Sequence, residues 1–218
     1  MTLFEALLIL AGLPLILRFA VSMPRQLVAD IYTDQRILRQ EPKLPKALSP
    51  MAVFLITALW TVLNLTIWMQ SQSTVWQLFS ICFAGCLLLG AVIDQRTGLL
   101  PFQVSIWIGL SGLLYQSLEA PERLTEHLIT GILVYLALVG LNQLVFWWRR
   151  QQMLGGGDVV LLAATCTVLT LDDVLWALLI ATCTGALEGR LRRASVIRFG
   201  PHLAFGILSY WLGRVMLA

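Results

Sequence analysis

The chain has 218 residues, of which 58% are hydrophobic and 12% are charged, and its mean hydropathy is +0.81. Globular domains are about half apolar and about a quarter charged, so this composition excludes a single water-soluble core and predicts a membrane protein. The net charge of +3 does not indicate nucleic-acid binding. In a membrane protein the placement of Lys and Arg sets the orientation, whereas their sum says little.

Apolar runs follow one another along the chain, separated by charged or turn-forming residues. A helix needs about 20 apolar residues to cross a bilayer, and somewhat fewer when neighbouring helices shield its ends. The eight runs cover residues 3–21, 51–69, 76–93, 102–118, 127–148, 159–171, 174–187 and 201–217. We interpret Asp172 and Asp173 as a tight polar turn between the sixth and seventh runs. The pattern predicts an all-α polytopic protein with about eight transmembrane helices, in which residues 1–218 form one membrane-embedded domain.

The connections between these runs alternate in charge. Lys and Arg are concentrated in the odd-numbered connections, whereas the second connection is uncharged, the fourth is mainly acidic and the sixth is the pair Asp172-Asp173. Because Lys and Arg are enriched in cytoplasmic loops, we expect the odd connections to face the cytoplasm. With eight spans, both termini then lie on the outer, periplasmic side. The first connection, residues 22–50, is a short basic loop and the only sizeable soluble segment.

The cysteine and histidine patterns do not indicate a metal centre. The four cysteines all fall inside apolar runs and form no CxxC pair, so neither a zinc knuckle nor a disulfide framework is expected. They are Cys82, Cys86, Cys166 and Cys183. Each of the two histidines, His127 and His202, begins a run without a second ligand at a metal-binding spacing. We expect no metal and no other cofactor.

Two aspartates lie where the predicted spans meet the cytoplasm. Asp94 ends the third run in the segment AVIDQRTGLLP, and Asp158 opens the sixth in GGGDVVLLAA. Ionisable groups near membrane depth are costly, and each needs a reason to be there. Two carboxyl groups at one depth are able to share a proton and hydrolyse an amide, one taking a proton from water and the other donating one. The pattern indicates a catalytic dyad of Asp94 and Asp158.

Three glycines, Gly155, Gly156 and Gly157, directly precede the second aspartate. Glycine lets a peptide approach the backbone closely, so we expect an extended substrate to bind here through backbone hydrogen bonds. Asp158 begins a predicted helix and Asp94 ends one. Helix dipoles would then favour Asp158 as the resting base and Asp94 as the proton donor.

Other interpretations of these residues remain open at this point. Asp158 would also suit an ordinary helix start with an acidic first turn, and Asp94 a loop residue paired with Arg96. A different class of protein, a small transporter or channel, would use intramembrane carboxylates to relay protons or bind cations. Such a protein tends to place its acids near mid-bilayer along a path between the two faces.

Together the two aspartate segments resemble the type IV prepilin peptidases, a family of aspartic membrane proteases. The family's Ile-Asp followed by Leu-Pro is matched by Ile93, Asp94, Leu100 and Pro101. Its Gly-x-Gly-Asp followed by Leu-Leu-Ala-Ala is matched by Gly155, Gly157, Asp158, Leu161, Leu162, Ala163 and Ala164. The segment Phe199-Gly200-Pro201, with the small residue Gly206, is similar to the family's closing segment. Presenilin-type proteases share the second motif but carry Tyr-Asp in the first, where this chain has Ile93 before Asp94.

The resemblance implies a hydrolase of the bacterial inner membrane. Its substrates would be prepilins of type IV pili or pseudopilins of type II secretion, cut after a glycine at the cytoplasmic face to release a short basic leader. The expected partners are that substrate and membrane lipid, with no nucleic acid. The chain departs from the family at Phe102 and Val160, which leaves the dyad unchanged. Residues 22–50 also lack the two CxxC pairs of bifunctional members. Their absence puts N-methylation with S-adenosylmethionine in doubt.

Overall fold

The computed structural model describes residues 59, 60, 62, 73–150, 154–193 and 197–217. All regular secondary structure in these ranges is helical, which confirms the predicted all-α class. Six α-helices follow in chain order, with a single 3₁₀ turn at Pro121–Arg123 between the second and the third. They are α1 (Thr74–Thr97), α2 (Phe102–Glu119), α3 (Leu124–Arg149), α4 (Gly156–Thr165), α5 (Leu171–Arg192) and α6 (Phe199–Leu217).

Three helical segments are long and apolar enough to cross a membrane. They are Thr74–Thr97, Pro121–Arg149 and Leu171–Leu191. The helices α2 and α6 also coincide with predicted runs, whereas the first run and most of the second lie outside the described residues. The length and apolar composition of these helices indicate a membrane protein. The count of eight spans and the periplasmic position of both termini stay predictions.

The sixth run is shorter than the sequence predicts. We expected a span over residues 159–171, but α4 ends at Thr165, and residues 166–169 form tight turns. Threonine hydroxyls bond back to carbonyls three residues earlier, Thr165 to Leu162 at 2.8 Å and Thr167 to Ala164 at 2.7 Å. The Nδ1 atom of buried His127 lies 2.8 Å from the carbonyl oxygen of Cys166 and holds it outside the helix. These bonds satisfy the helix end that hydropathy does not show.

The polar turn predicted at Asp172 and Asp173 is also displaced. Both aspartates lie in the first turn of α5, because Thr170 precedes them as the N-cap. The Thr170 hydroxyl accepts a hydrogen bond from the Asp173 N–H, and the Asp173 carboxylate accepts one from the Thr170 N–H at 3.0 Å. This capping box satisfies two donors at the helix start, and acidic residues there complement the helix dipole.

The helices pack in a chain of pairs. The pair α5–α6 has the most extensive contact among the described helices, followed by α1–α2, α2–α4, α1–α6 and α3–α4. Fully buried apolar side chains fill the space between them. The largest are Phe83, Leu87, Ile93, Ile108, Leu161, Leu162, Leu203 and Ile207. Within the part of the chain that the structure describes, α3 buries only His127 and attaches to the rest mainly through α4.

The bundle has two chemically different ends. At one end, α1 finishes and both α4 and α6 begin. At the other end, buried Asp173 of α5 accepts hydrogen bonds from Arg214 at 2.7 Å and from Tyr210 at 3.0 Å, both on α6. Gly200 and Arg214 are 14 residues apart on α6, which at 1.5 Å per residue separates the two ends by about 21 Å.

The helices α5 and α6 approach each other closely at Gly206. A Cβ atom at this position would collide with the carbonyl oxygen of Ala177 and would lie 3.0 Å from the backbone nitrogen of Ala181. We expect Gly206→Ala to lower the free energy of unfolding by about 1–3 kcal/mol, because backbone atoms of α5 have to move to make room. Unfolding of the purified protein in detergent, followed by tryptophan fluorescence, measures this loss.

Gly213 on the same helix is the matched control, because a Cβ atom there meets nothing within 4 Å among the described residues. Gly213→Ala is expected to be neutral or to stabilise the protein by up to about 1 kcal/mol through helix propensity. Equal effects of the two substitutions would contradict the close α5–α6 contact.

Candidate active site

Asp94 lies in the last turn of α1 and is only 5% exposed. The helix ends three residues later, where Gly98 adopts the left-handed conformation with φ 74° and donates its N–H to the Asp94 carbonyl oxygen at 2.7 Å. A residue with a side chain rarely adopts this backbone conformation, so the glycine sets where α1 stops. The chain then turns through Leu99 and Leu100 into α2. Asp94 is therefore a helical residue and not the loop residue of the alternative interpretation.

Asp158 is the third residue of α4 and is 9% exposed. Gly155 is the N-cap, and its backbone N–H interacts with the Asp158 carboxyl. This is the backward half of a capping box, in which an acidic third residue satisfies a donor at the N-cap. Asp158 is thus an acidic residue in the first turn of a helix, as the alternative interpretation expects. It does not account for the burial of the carboxyl group beside a second one.

The two aspartate segments contact each other through their backbones. A Cβ atom at Gly157 would lie 2.7 Å from the Leu100 carbonyl oxygen and 2.9 Å from its Cβ. Only glycine at this position allows the turn after α1 to pack against the first turn of α4. The contact brings Asp94 and Asp158 to the same end of the bundle, where the charge of Asp94 acts on Asp158.

The start of α6 covers the Asp94 carboxyl group. A Cβ atom at Gly200 would lie 2.6 Å from Asp94 Oδ2 and 2.8 Å from Cγ, so the glycine backbone rests directly on the carboxyl group. The Gly200 N–H and the guanidinium of Arg198 both interact favourably with this carboxylate, against the cost of burying it. Sequence reasoning assigned neither residue to the dyad. The sequence does show a basic residue, Arg198, two positions before Gly200 at a predicted helix start, and this pattern could have indicated a site for a carboxylate.

This placement changes the helix-dipole argument. Asp94 ends its own helix, but its carboxyl group lies at the N-terminus of α6, just as Asp158 lies at the N-terminus of α4. Both carboxyl groups therefore experience the positive end of a helix dipole. Dipoles do not distinguish a base from an acid here.

The pair has the features that proton-transfer chemistry requires. Both carboxyl groups are buried, and the charge of Asp94 disfavours ionisation of Asp158. Asp94 Oδ2 is buried and accepts no hydrogen bond from any described residue. It is thus an acceptor whose partner is not supplied by this part of the chain.

The three glycines before Asp158 have different surroundings. Gly157 packs on Leu100, and the N–H of Gly155 is directed at Asp158. Gly156 is exposed, and a Cβ atom there would meet nothing within 4 Å among the described residues. Gly155 is exposed too, but a Cβ atom there would meet the Asp158 carboxyl group, so of the three glycines Gly156 has the most open surroundings.

The two histidines contact groups other than the two aspartates. His127 holds the end of α4, and His202 Nε2 lies 2.5 Å from Glu188 Oε2 on α5 in an alignment unsuited to a hydrogen bond. All four cysteines are free. Across the described ranges, no three His, Cys, Asp or Glu side chains cluster in a way that would hold a metal ion.

The Leu100–Gly157 contact yields a stability prediction. Gly157→Ala should lower the free energy of unfolding by about 1–3 kcal/mol, because the new methyl group overlaps the Leu100 backbone. Gly156→Ala, one residue earlier and in open space, should not destabilise the protein. Parallel unfolding curves in detergent compare the two, and equal stabilities would show that the segments do not pack as described.

Comparison with known proteins places the chain in a family. Residues 81–189, half of the chain, match the type IV leader peptidase family, and this range contains both aspartate segments. Neither a curated protein nor a solved structure matches the chain. The match confirms the resemblance drawn from the two motifs and makes the chain a peptidase by family. With its buried pair of aspartates at one end of a helical membrane bundle, the chain belongs to the type IV leader peptidase family.

Proposed function

We propose that this protein removes the basic leader from prepilins or pseudopilins by aspartate-dyad hydrolysis, with Asp94 and Asp158 as the catalytic pair. The observation that carries the proposal is the burial of both carboxyl groups at one end of the bundle, where the charge of Asp94 acts on Asp158. Family membership supports peptide hydrolysis as the reaction. The bacterial inner membrane as location, the cytoplasmic cleavage face and the cut after glycine belong to the same proposal.

The dyad performs hydrolysis with one shared proton. The ionised carboxyl group takes a proton from a water molecule, whose oxygen attacks the scissile carbonyl carbon, while the protonated carboxyl group donates its proton to the carbonyl oxygen. The resulting tetrahedral diol collapses. The carboxyl group that gained the water proton passes it to the leaving nitrogen, and the other carboxylate takes a proton from a diol hydroxyl. The C–N bond breaks, and the pair regains its starting protonation.

The glycine segment is the proposed binding place for the substrate. The leader junction is an extended peptide that enters beside Gly156, whose backbone is open, while Gly155 and Gly157 keep Asp158 and Leu100 in place. An extended chain pairs with such a backbone irrespective of its side chains. The substrate's hydrophobic helix would remain in the bilayer, in contact with lipid.

A separate N-methylation activity has less support. The loop 22–50 lies outside the described residues and contains no cysteine. We assign no residue to S-adenosylmethionine and propose cleavage without a cofactor.

The transporter or channel alternative finds little support in the arrangement of acids. Asp173, the buried carboxyl group at the far end, is engaged by Thr170, Tyr210 and Arg214. It lies about 21 Å from the dyad along α6. Among the described residues, the buried acids lie only at the two ends, Asp94 and Asp158 at one and Asp173 at the other.

Substitution of either aspartate tests the dyad. Asp94→Asn and Asp158→Asn should each lower cleavage by at least about 100-fold, because an amide neither accepts nor donates the transferred proton. The assay follows release of the leader from a prepilin-like substrate in membranes. The substrate carries a basic leader, a glycine before the cut and a hydrophobic helix. Membrane insertion of each variant is checked by extraction and blotting.

Asp172→Asn is the matched control, because Asp172 is an exposed aspartate in the first turn of α5 at the far end. It should cleave at the wild-type rate. Wild-type activity of an inserted Asp94→Asn or Asp158→Asn variant would remove that residue from the catalytic pair.

The contact of Gly200 with Asp94 generates a second activity prediction. In Gly200→Ala the new methyl group occupies the space of the Asp94 carboxyl group and forces it out of position, so we expect cleavage to fall by about 10-fold or more. Gly213→Ala on the same helix should leave cleavage unchanged. An active Gly200→Ala enzyme would show that Asp94 works in a position other than the one described.

A further inference from the structure

Asn142 on α3 makes two hydrogen bonds to the backbone of one residue, Leu154. The Leu154 N–H donates to Asn142 Oδ1 at 2.9 Å, and Asn142 Nδ2 donates to the Leu154 carbonyl oxygen at 2.8 Å. The amide thus pairs with the backbone as a neighbouring strand would. Leu154 is the residue before the N-cap Gly155 and lies four positions before Asp158.

The position of Asn142 makes this pairing unusual. It lies seven residues before the end of α3, and at 1.5 Å per residue that places it about 10 Å inside the helix. The chain therefore re-enters beside α3 as non-helical backbone at Leu154. Such backbone is tolerated at membrane depth only where protein groups or water satisfy its polar atoms. The Asn142 amide satisfies both polar groups of Leu154.

The glycines that follow need an external restraint. Three consecutive glycines have more backbone freedom than any other tripeptide, and ordering them is costly. The packing of Gly157 on Leu100 restrains this segment at its far side. Gly156 meets no described residue at its Cβ position, and Gly155 bonds to Asp158 and Val159 of α4 itself, so Leu154 is where the near side is held from outside α4.

Resting on the dyad proposed above, we infer that Asn142 is a positioning residue for catalysis, which pins Leu154 and so holds the Gly155–Gly157 segment and the Asp158 carboxyl group in register with Asp94. Asn142 does not touch the reacting atoms. It acts through Leu154 and the first turn of α4. The same helix holds the other end of α4 through His127 and the Cys166 carbonyl group. The function of α3 is thereby to fix the short helix that carries the second aspartate.

The test separates positioning from stability by measuring kcat and KM per inserted enzyme. Asn142→Leu has a similar size but leaves both Leu154 groups unpaired. We expect its kcat for the prepilin-like substrate to fall by about 10- to 100-fold, as misplacement of a catalytic group does, with KM changed less than about threefold. Asn142→Asp keeps the acceptor for the Leu154 N–H and loses the amide donor, so its kcat should lie between those of the wild type and Asn142→Leu.

Gln143→Leu is the matched control. It removes an amide from the next, exposed position of α3 and should leave kcat and KM unchanged. If Asn142→Leu fails to accumulate in the membrane, Asn142→Asp decides the question by the same measurement.

Two outcomes would overturn the inference. One is a wild-type kcat for the inserted Asn142 variants, even with a lower unfolding temperature, which would make Asn142 a stabilising residue only. The other is a rise in KM with kcat unchanged, which would place its effect on substrate binding. Asp158→Asn in the same assay tests the catalytic dyad separately from the positioning role of Asn142. Inactive aspartate variants with fully active Asn142 variants reject the inference alone, whereas an active Asp158→Asn enzyme rejects the dyad itself.

Discussion

The contact between Gly157 and the backbone of Leu100 is the constraint on which the site depends. It joins the turn after the first aspartate to the helix start that carries the second, with no side chain between them. Because α1 and α4 are far apart in the chain, a backbone contact of this kind sets their relative depth more firmly than flexible side chains would. The spacing from Asp94 to Leu100 and from Gly157 to Asp158 then brings the two carboxyl groups to one end of the bundle. A larger residue at position 157 would separate them.

Burial gives the pair its chemistry and also its cost. A carboxylate taken out of water is unfavourable unless it is paired or hydrogen-bonded. Each carboxyl group lies at a helix N-terminus and interacts with a backbone N–H, that of Gly155 for Asp158 and that of Gly200 for Asp94. The Arg198 guanidinium also interacts favourably with Asp94. The protein leaves Asp94 Oδ2 without a hydrogen-bond donor from the described residues. Such partial compensation suits the proton exchange that we propose for this pair.

At the opposite end of the bundle, the protein supplies hydrogen-bond donors to both oxygens of a buried acid. Asp173 caps α5, accepts a bond from Tyr210 and pairs with Arg214, so each of its oxygens has a donor. A fully satisfied carboxylate is held in one ionised state and serves structure. Two aspartates that look alike in a hydropathy plot, Asp94 and Asp173, are thus distinguished by the donors that the fold supplies. The helix α3 contributes in a third way, since its buried or half-buried polar groups hold the two ends of α4 while most of its surface stays apolar and exposed.

The amino-acid sequence alone determined that this is an all-helical membrane protein, which family it indicates and which two aspartates are the candidates for its site, because hydropathy, charge and short motifs are local properties. It also placed four helices, α1, α2, α3 and α6, to within a few residues. It did not determine where α4 ends, because the hydroxyls of Thr165 and Thr167 and the distant His127 decide that. Nor did it show that Gly200 rests on Asp94, which removed the dipole argument for an acid and a base, or that Asn142 pairs with Leu154. These features depend on which helix faces meet, and only the packing of residues remote in the chain decides that.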